Sequence, residues 1–99
     1  MREEVRNWFA QAQADLKAAQ DSVKAGHYEW VCFQSQQAAE KALKALYIHR
    51  KRTSIVSHNL VTIAQSLAAT RRIMEAAREL NADYVTTRYP DAANGVPAD

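Results

Sequence analysis

Helix breakers are nearly absent. The 99 residues contain two glycines and two prolines, and residues 1–89 contain only Gly26. Regularly spaced turn residues, the mark of all-β sandwiches and barrels, are therefore missing. The single cysteine, Cys32, excludes an intrachain disulfide and sits among apolar neighbours, which reads as an inert buried thiol. His27, His49 and His58 have no carboxylate or cysteine at ligand spacing, and neither His-Glu-x-x-His nor Cys-x-x-Cys occurs. No metal site is expected. No glycine-rich phosphate loop is present, and no cofactor is expected. No apolar run approaches the roughly 18 residues of a membrane span, and Met-Arg-Glu-Glu-Val lacks the apolar core of a signal peptide. A cytoplasmic location follows as the expectation. Thirteen Lys and Arg against eleven Asp and Glu leave a net charge of +2, which permits a polyanionic partner without demanding one.

What remains is helical sequence of one-domain length. Val5, Trp8, Phe9, Ala12, Leu16, Ala19 and Val23 follow a 3.6-residue period and predict a first helix from about Arg2 to Ala25, stopped by Gly26. His27-Tyr28-Glu29 opens a second, to about His49, whose apolar residues spread over more than one stripe, as in a central helix. The basic run His49-Arg50-Lys51-Arg52-Thr53-Ser54 reads as a connection. Ser57 is the expected cap of a short third helix, about His58 to Ala69. A fourth, about Arg71 to Val85, carries Ile73, Ala77, Leu80 and Tyr84 inward, and Arg88-Tyr89-Pro90-Asp91 ends it. Residues 1–91 form the expected bundle and residues 92–99 a loose tail. Trp8, Phe9, Trp30 and Phe33 fall at core spacing, for the core or a dimer interface.

Three groups of residues bear on chemistry. Gln36 and Gln37 enter an alanine-rich apolar run, Gln36-Gln37-Ala38-Ala39-Glu40-Lys41-Ala42-Leu43-Lys44-Ala45-Leu46, where buried amides need partners. They are either core hydrogen-bonding groups or one wall of a polar pocket. Arg50, Lys51 and Arg52 are either a solvated basic turn at a helix C-terminus or a phosphate or RNA contact. Arg71 and Arg72 share their end of the molecule only if the third helix is short enough to fold back. Arg52 and His58 have the residue types of a metal-free ribonuclease: an imidazole to move a proton and a fixed cation for charge on the phosphate. On one helix they would stand roughly 120° apart, so they converge only across a turn or between two copies. The other reading has His58 capping or packing at the start of the third helix. Arg88 and Tyr89 could bind a phosphate, stack on a base or lock the turn with Asp91; Arg88 could also reach Asp15 or Glu40.

Taken in order, Trp8 with Ala14-Asp15-Leu16, then Tyr28-x-x-x-Cys32-Phe33-x-x-Gln36-Gln37-Ala38-Ala39-Glu40-Lys41-Ala42-Leu43-Lys44-Ala45-Leu46, then Ser57-His58-Asn59-Leu60 and Thr87-Arg88-Tyr89-Pro90-Asp91, resemble the HEPN domain (higher eukaryotes and prokaryotes nucleotide-binding) over about residues 5 to 92. The resemblance implies an all-α, antiparallel up-and-down bundle of about four helices here, with the family's last long helix missing after the Arg-Tyr-Pro-Asp turn. It implies a homodimer. It implies a module that binds a nucleotide, RNA or a partner, paired with a minimal nucleotidyltransferase in a toxin–antitoxin-like arrangement. Arg52-x5-His58 meets the spacing of the family's metal-independent ribonucleases, which makes these two the implied catalytic pair of the alternative. Gln36, Gln37, Arg50, Lys51, Arg88 and Tyr89 are the candidate nucleotide or RNA contacts.

Overall fold

The computed structural model describes the backbone of residues 2–88 and the side chains of residues 2–83. Four helices make up an all-α bundle: α1 (Glu3–Ala25), α2 (Tyr28–Lys51), α3 (Leu60–Ser66) and α4 (Arg71–Arg88). Among the described residues there is no strand. Expectations for Tyr89 to Asp99, including the Arg-Tyr-Pro-Asp turn and the tail, lie outside the described residues, as do those for the Tyr84 and Arg88 side chains.

Gly26 ends α1 in the left-handed region at φ 76°, and its amide and that of His27 bond back to the carbonyls of Val23 and Ser22. A side chain at this φ would meet its own carbonyl, so glycine suits the position. The turn sends α2 back antiparallel along α1, with Val5 against Ala45 and Ile48 near one end. At the other end the Gln34 amide nitrogen, turned to suit its neighbours, donates to Ser22 Oγ at 2.7 Å and to the Ala18 carbonyl at 3.1 Å. Lys41 and Asp15 pair at 2.7 Å between the two helices.

On the other side of α2, Ala39 and Leu43 pack on a second cluster built from Leu60, Ala64, Ala77 and Leu80. The chain after α2 doubles back. His58 reaches Glu40 and Lys44, well up the helix. Then α3 descends, so that Arg50 Nη1 donates to the Leu67 carbonyl at 3.3 Å, and α4 rises to bring Leu80 beside Ala39 and Ala42. Both α1 and α4 therefore run antiparallel to α2 on separate flanks. Among the described elements α1 packs on α2 alone.

Several boundaries differ from expectation, and α4, expected to end near Val85, runs to Arg88. The second helix runs two residues past His49, so Arg50 and Lys51 are helical and only Arg52 begins the connection. Basic side chains complement a helix C-terminus, and here they extend the helix. The third helix is seven residues long, and its cap is Asn59, whose side chain accepts from the amides of Val61 (2.9 Å) and Thr62 (3.2 Å). Ser57 instead accepts from the Asn59 amide at 3.1 Å. Ile73, expected inward, is 45 % exposed. Of the four aromatics at core spacing, Trp8 packs on the α1–α2 cluster, while Phe9 and Trp30 are about half exposed. Asn59→Ala should lower stability by about 1 kcal/mol in urea unfolding, and Ser57→Ala by less. Equal losses would refute the assignment of the cap.

Candidate functional site

Two features stand apart from the core. The first is polar and lies along α2. Gln36, Glu40 and Lys44 are spaced by four, which sets them on one stripe of the helix, and all three are buried. Lys44 Nζ donates to Glu40 Oε2 at 3.1 Å, and the two side chains are 11 % and 8 % exposed. Gln37 donates to the Gln36 carbonyl oxygen at 2.9 Å, and the Gln36 amide faces Glu40 Oε1 at 3.4 Å. Trp8 of α1 presents its ring to Lys44, 5.7 Å from the ammonium, within cation–π range.

His58 closes this network from the connection. Its Nδ1 lies 3.2 Å from Glu40 Oε2 and 3.4 Å from Lys44 Nζ. Nδ1 lies within reach of an acceptor, Glu40 Oε2, and of a donor, Lys44 Nζ, so its role follows the tautomer: with a proton it donates to Glu40, without one it accepts from Lys44. The His58 side chain is 80 % exposed. In the tautomer with Nδ1 donating to the carboxylate, Nε2 is free to accept, a common arrangement for a proton acceptor.

The second feature is electrostatic. The Arg50–Leu67 contact and the packing of Val5 on Ile48 bring three chain segments to one end of α2. Arg2 and Arg6 lie at the start of α1, Arg50, Lys51 and Arg52 at the end of α2, and Arg71 and Arg72 at the α3–α4 junction; all seven are exposed. Glu3, Glu4 and Glu75 are the carboxylates of the same region, and Glu75 pairs with Arg71 at 3.1 Å. The connection after α2 climbs back to Glu40 and α3 descends again, so the two basic runs share an end. Arg52 adopts φ 57°, a conformation in which glycine would avoid about 1 kcal/mol of strain. A strained non-glycine residue at a candidate site is an observation to explain functionally. At the opposite end, the Cys32 thiol and then the Asp83 carboxylate push the Tyr28 phenol up, and the Lys17 ammonium holds Asp21 below the usual carboxylate range.

Arg52 and His58 are separated by a non-helical segment, as convergence would require. The structure nonetheless assigns them different neighbours: His58 turns to Glu40 and Lys44, and Arg52 has no side-chain partner among the described residues. Gln36 and Gln37 spend their amides on each other and on Glu40, the hydrogen-bonding reading of that pair. Arg50 bonds a carbonyl of α3, and Lys51 is exposed on the last turn of α2. Asp15 and Glu40, the acceptors considered for Arg88, are paired with Lys41 and Lys44. Among the described residues no group of three or more His, Cys, Asp or Glu could hold a metal ion, and no helix is long and apolar enough to cross a membrane.

Sequence reading missed Glu40, Lys44 and Trp8 as a unit. The available signal was a Gln-x3-Glu-x3-Lys stripe entering an apolar run. It also missed that Arg2 and Arg6 join the basic end, which depends on helix direction. Breaking a buried pair strands a charge, so Glu40→Ala and Lys44→Ala should each cost roughly 3–5 kcal/mol in chemical denaturation. Glu40→Gln with Lys44→Met should recover most of that loss, and single losses below about 1 kcal/mol would show the pair to be solvated.

The family model of the HEPN domain matches residues 5–98. The crystal structure of TT1696 from Thermus thermophilus is similar at a TM-score of 0.81 and 36 % identity, over 99 % of this chain and 77 % of that one. No curated protein matches.

Proposed function

The chain belongs to the HEPN domain family, and from that premise we propose that it binds the phosphates of RNA or a nucleotide through its basic end. The observation that supports this most directly is the gathering of seven exposed Lys and Arg side chains from three chain segments at one end of a chain whose net charge is only +2. Helix C-terminal complementarity accounts for Arg50 and Lys51, but not for Arg2, Arg6 or Arg72. Following the family resemblance, the module works in the cytoplasm beside a minimal nucleotidyltransferase, in a toxin–antitoxin-like pair, and co-elution with such a protein tests that assignment.

Phosphate binding has a thermodynamic signature. Each phosphate neutralised on a single strand contributes about −0.7 to the slope of log K against log salt. Arg52→Ala and Arg72→Ala should each weaken RNA binding and flatten that slope by about this amount. Arg52→Gly should separate the two roles, raising stability by about 1 kcal/mol while lowering affinity. RNA affinity unchanged when Arg52→Ala and Arg72→Ala are combined, or independent of salt, would sink the reading.

The contact between His58 and Glu40 favours a second reading, a metal-independent ribonuclease. In it the 2′-hydroxyl gives its proton to His58 Nε2 as the 2′-oxygen bonds to phosphorus. The bond from phosphorus to the 5′-oxygen breaks, and that oxygen takes a proton from the imidazolium. Arg52 supplies the cation facing the phosphate. RNA cleavage in EDTA, abolished by His58→Ala and slowed by Glu40→Gln, is the expected result. Intact RNA at high protein concentration would leave binding alone.

A further inference from the structure

Between α1 and α4, on the far side of α2 from Glu40, runs an apolar groove of about 400 Å³, a volume usual for a small-molecule site. Ala38, Ala39 and Ala42 of α2 form its floor. Phe9 and Leu16 of α1 make one wall, and Leu80 of α4 stands on the other. Among the described elements α1 and α4 do not pack on each other, which leaves the floor open. Gln13 and Ser35 are the polar side chains that line it.

Floor and walls all continue toward the basic end. A seven-residue step keeps to nearly the same stripe of a helix. Such a step leads from Phe9 to Arg2, from Ala39 to Leu46 and from Leu80 to Ile73. Leu46 and Ile73 are both exposed apolar residues. Arg6, three residues before Phe9, borders the α1 stripe. Glu3 and Glu4 stand roughly 120° or more round the helix from it. Glu79 and Asp83 of α4 lie level with Leu80 or beyond it, away from the basic end. The groove is an apolar channel with a cationic mouth.

We infer that this channel binds a single-chain fatty acid, with the acyl chain on the alanine floor and the carboxylate at Arg2 and Arg6. An alkyl chain has no polar group to satisfy. A nucleobase on the same floor would have only Gln13 and Ser35 for its hydrogen-bonding edge, and each group left unpaired is costly. The cations stand at one end of the channel, which matches a ligand charged at one end, and guanidinium groups suit a carboxylate. The length agrees as well: Leu16 and Arg2 are about 21 Å apart along α1, close to the length of extended hexadecanoate. Fatty-acid binding does not require that the basic end bind RNA.

Titration calorimetry with decanoate, dodecanoate and tetradecanoate, each below its micelle-forming concentration, tests the site. Affinity should rise about two- to fourfold per added methylene, the upper figure being that of full burial. Dodecanol and dodecyltrimethylammonium should each bind about tenfold more weakly than dodecanoate, for want of the charged hydrogen bonds. Ala42→Phe fills the groove and should weaken dodecanoate binding about tenfold or more. Leu16→Asp sets a carboxylate beside the chain and should also weaken it; this position is 51 % exposed, so helicity by circular dichroism should be unchanged. Arg52→Ala should leave dodecanoate affinity unchanged, which separates acid binding from RNA binding. Equal affinity across the three chain lengths, or across the three head groups, would overturn the proposal. So would the absence of binding by any of them, which would give the groove to a protein segment and leave the RNA reading as it stands.

Discussion

Each of the other helices packs on α2, and this one constraint sets the character of its faces. Where α1 and α4 come close, α2 offers Ala38, Ala39, Ala42 and Ala45. Small residues let helices approach but leave little depth in which to bury large ones. The aromatic and aliphatic residues of α1 therefore divide: Trp8 finds a site against Ala45 and Ile48, while Phe9 and Leu16 stand proud of the alanine floor. The remaining face of α2 is polar and carries Gln36, Glu40 and Lys44. A buried carboxylate must be fully partnered, and the partners of Glu40 include a side chain from the connection after α2. The path of that connection is thus tied to one charge.

Periodicity revealed α1, α2 and α4 because each has a stripe of apolar residues long enough to show 3.6-residue spacing. Gly26, the one breaker before Pro90, marked the turn between α1 and α2, whereas the α3–α4 turn through Ala68, at φ 51°, carries no breaker to mark it. The end of α2 was harder to read. His49, Arg50 and Lys51 stabilise a helix C-terminus and equally suit a solvated turn, and composition does not distinguish these. Ser57 and Asn59 are both competent caps two residues apart; the choice depends on where Leu60 enters the core, which is a tertiary fact.

The site was legible by residue type and obscure in its arrangement. His58 was visible as the one histidine with a candidate partner at family spacing. That partner was Arg52, whereas the contact in the structure is Glu40, eighteen residues earlier. Glu and Lys at a four-residue spacing are an ordinary surface pair on most helices. Only the burial of this pair, between Trp8 and His58, makes it part of a site. The basic end was half visible, because two of its three segments are basic in the sequence and the third joins them through helix direction.

The segregation of charge along α2 has a consequence for encounter. A helix of 24 residues is about 36 Å long, and cationic groups crowd one of its tips. In the field of a polyanion such an asymmetry favours approach with the basic tip foremost. If the basic end binds a polyanion as proposed, the contact has the footprint of the bundle's cross-section, matched to a short stretch of backbone. The flanks, including the alanine groove, stay free while the tip is engaged.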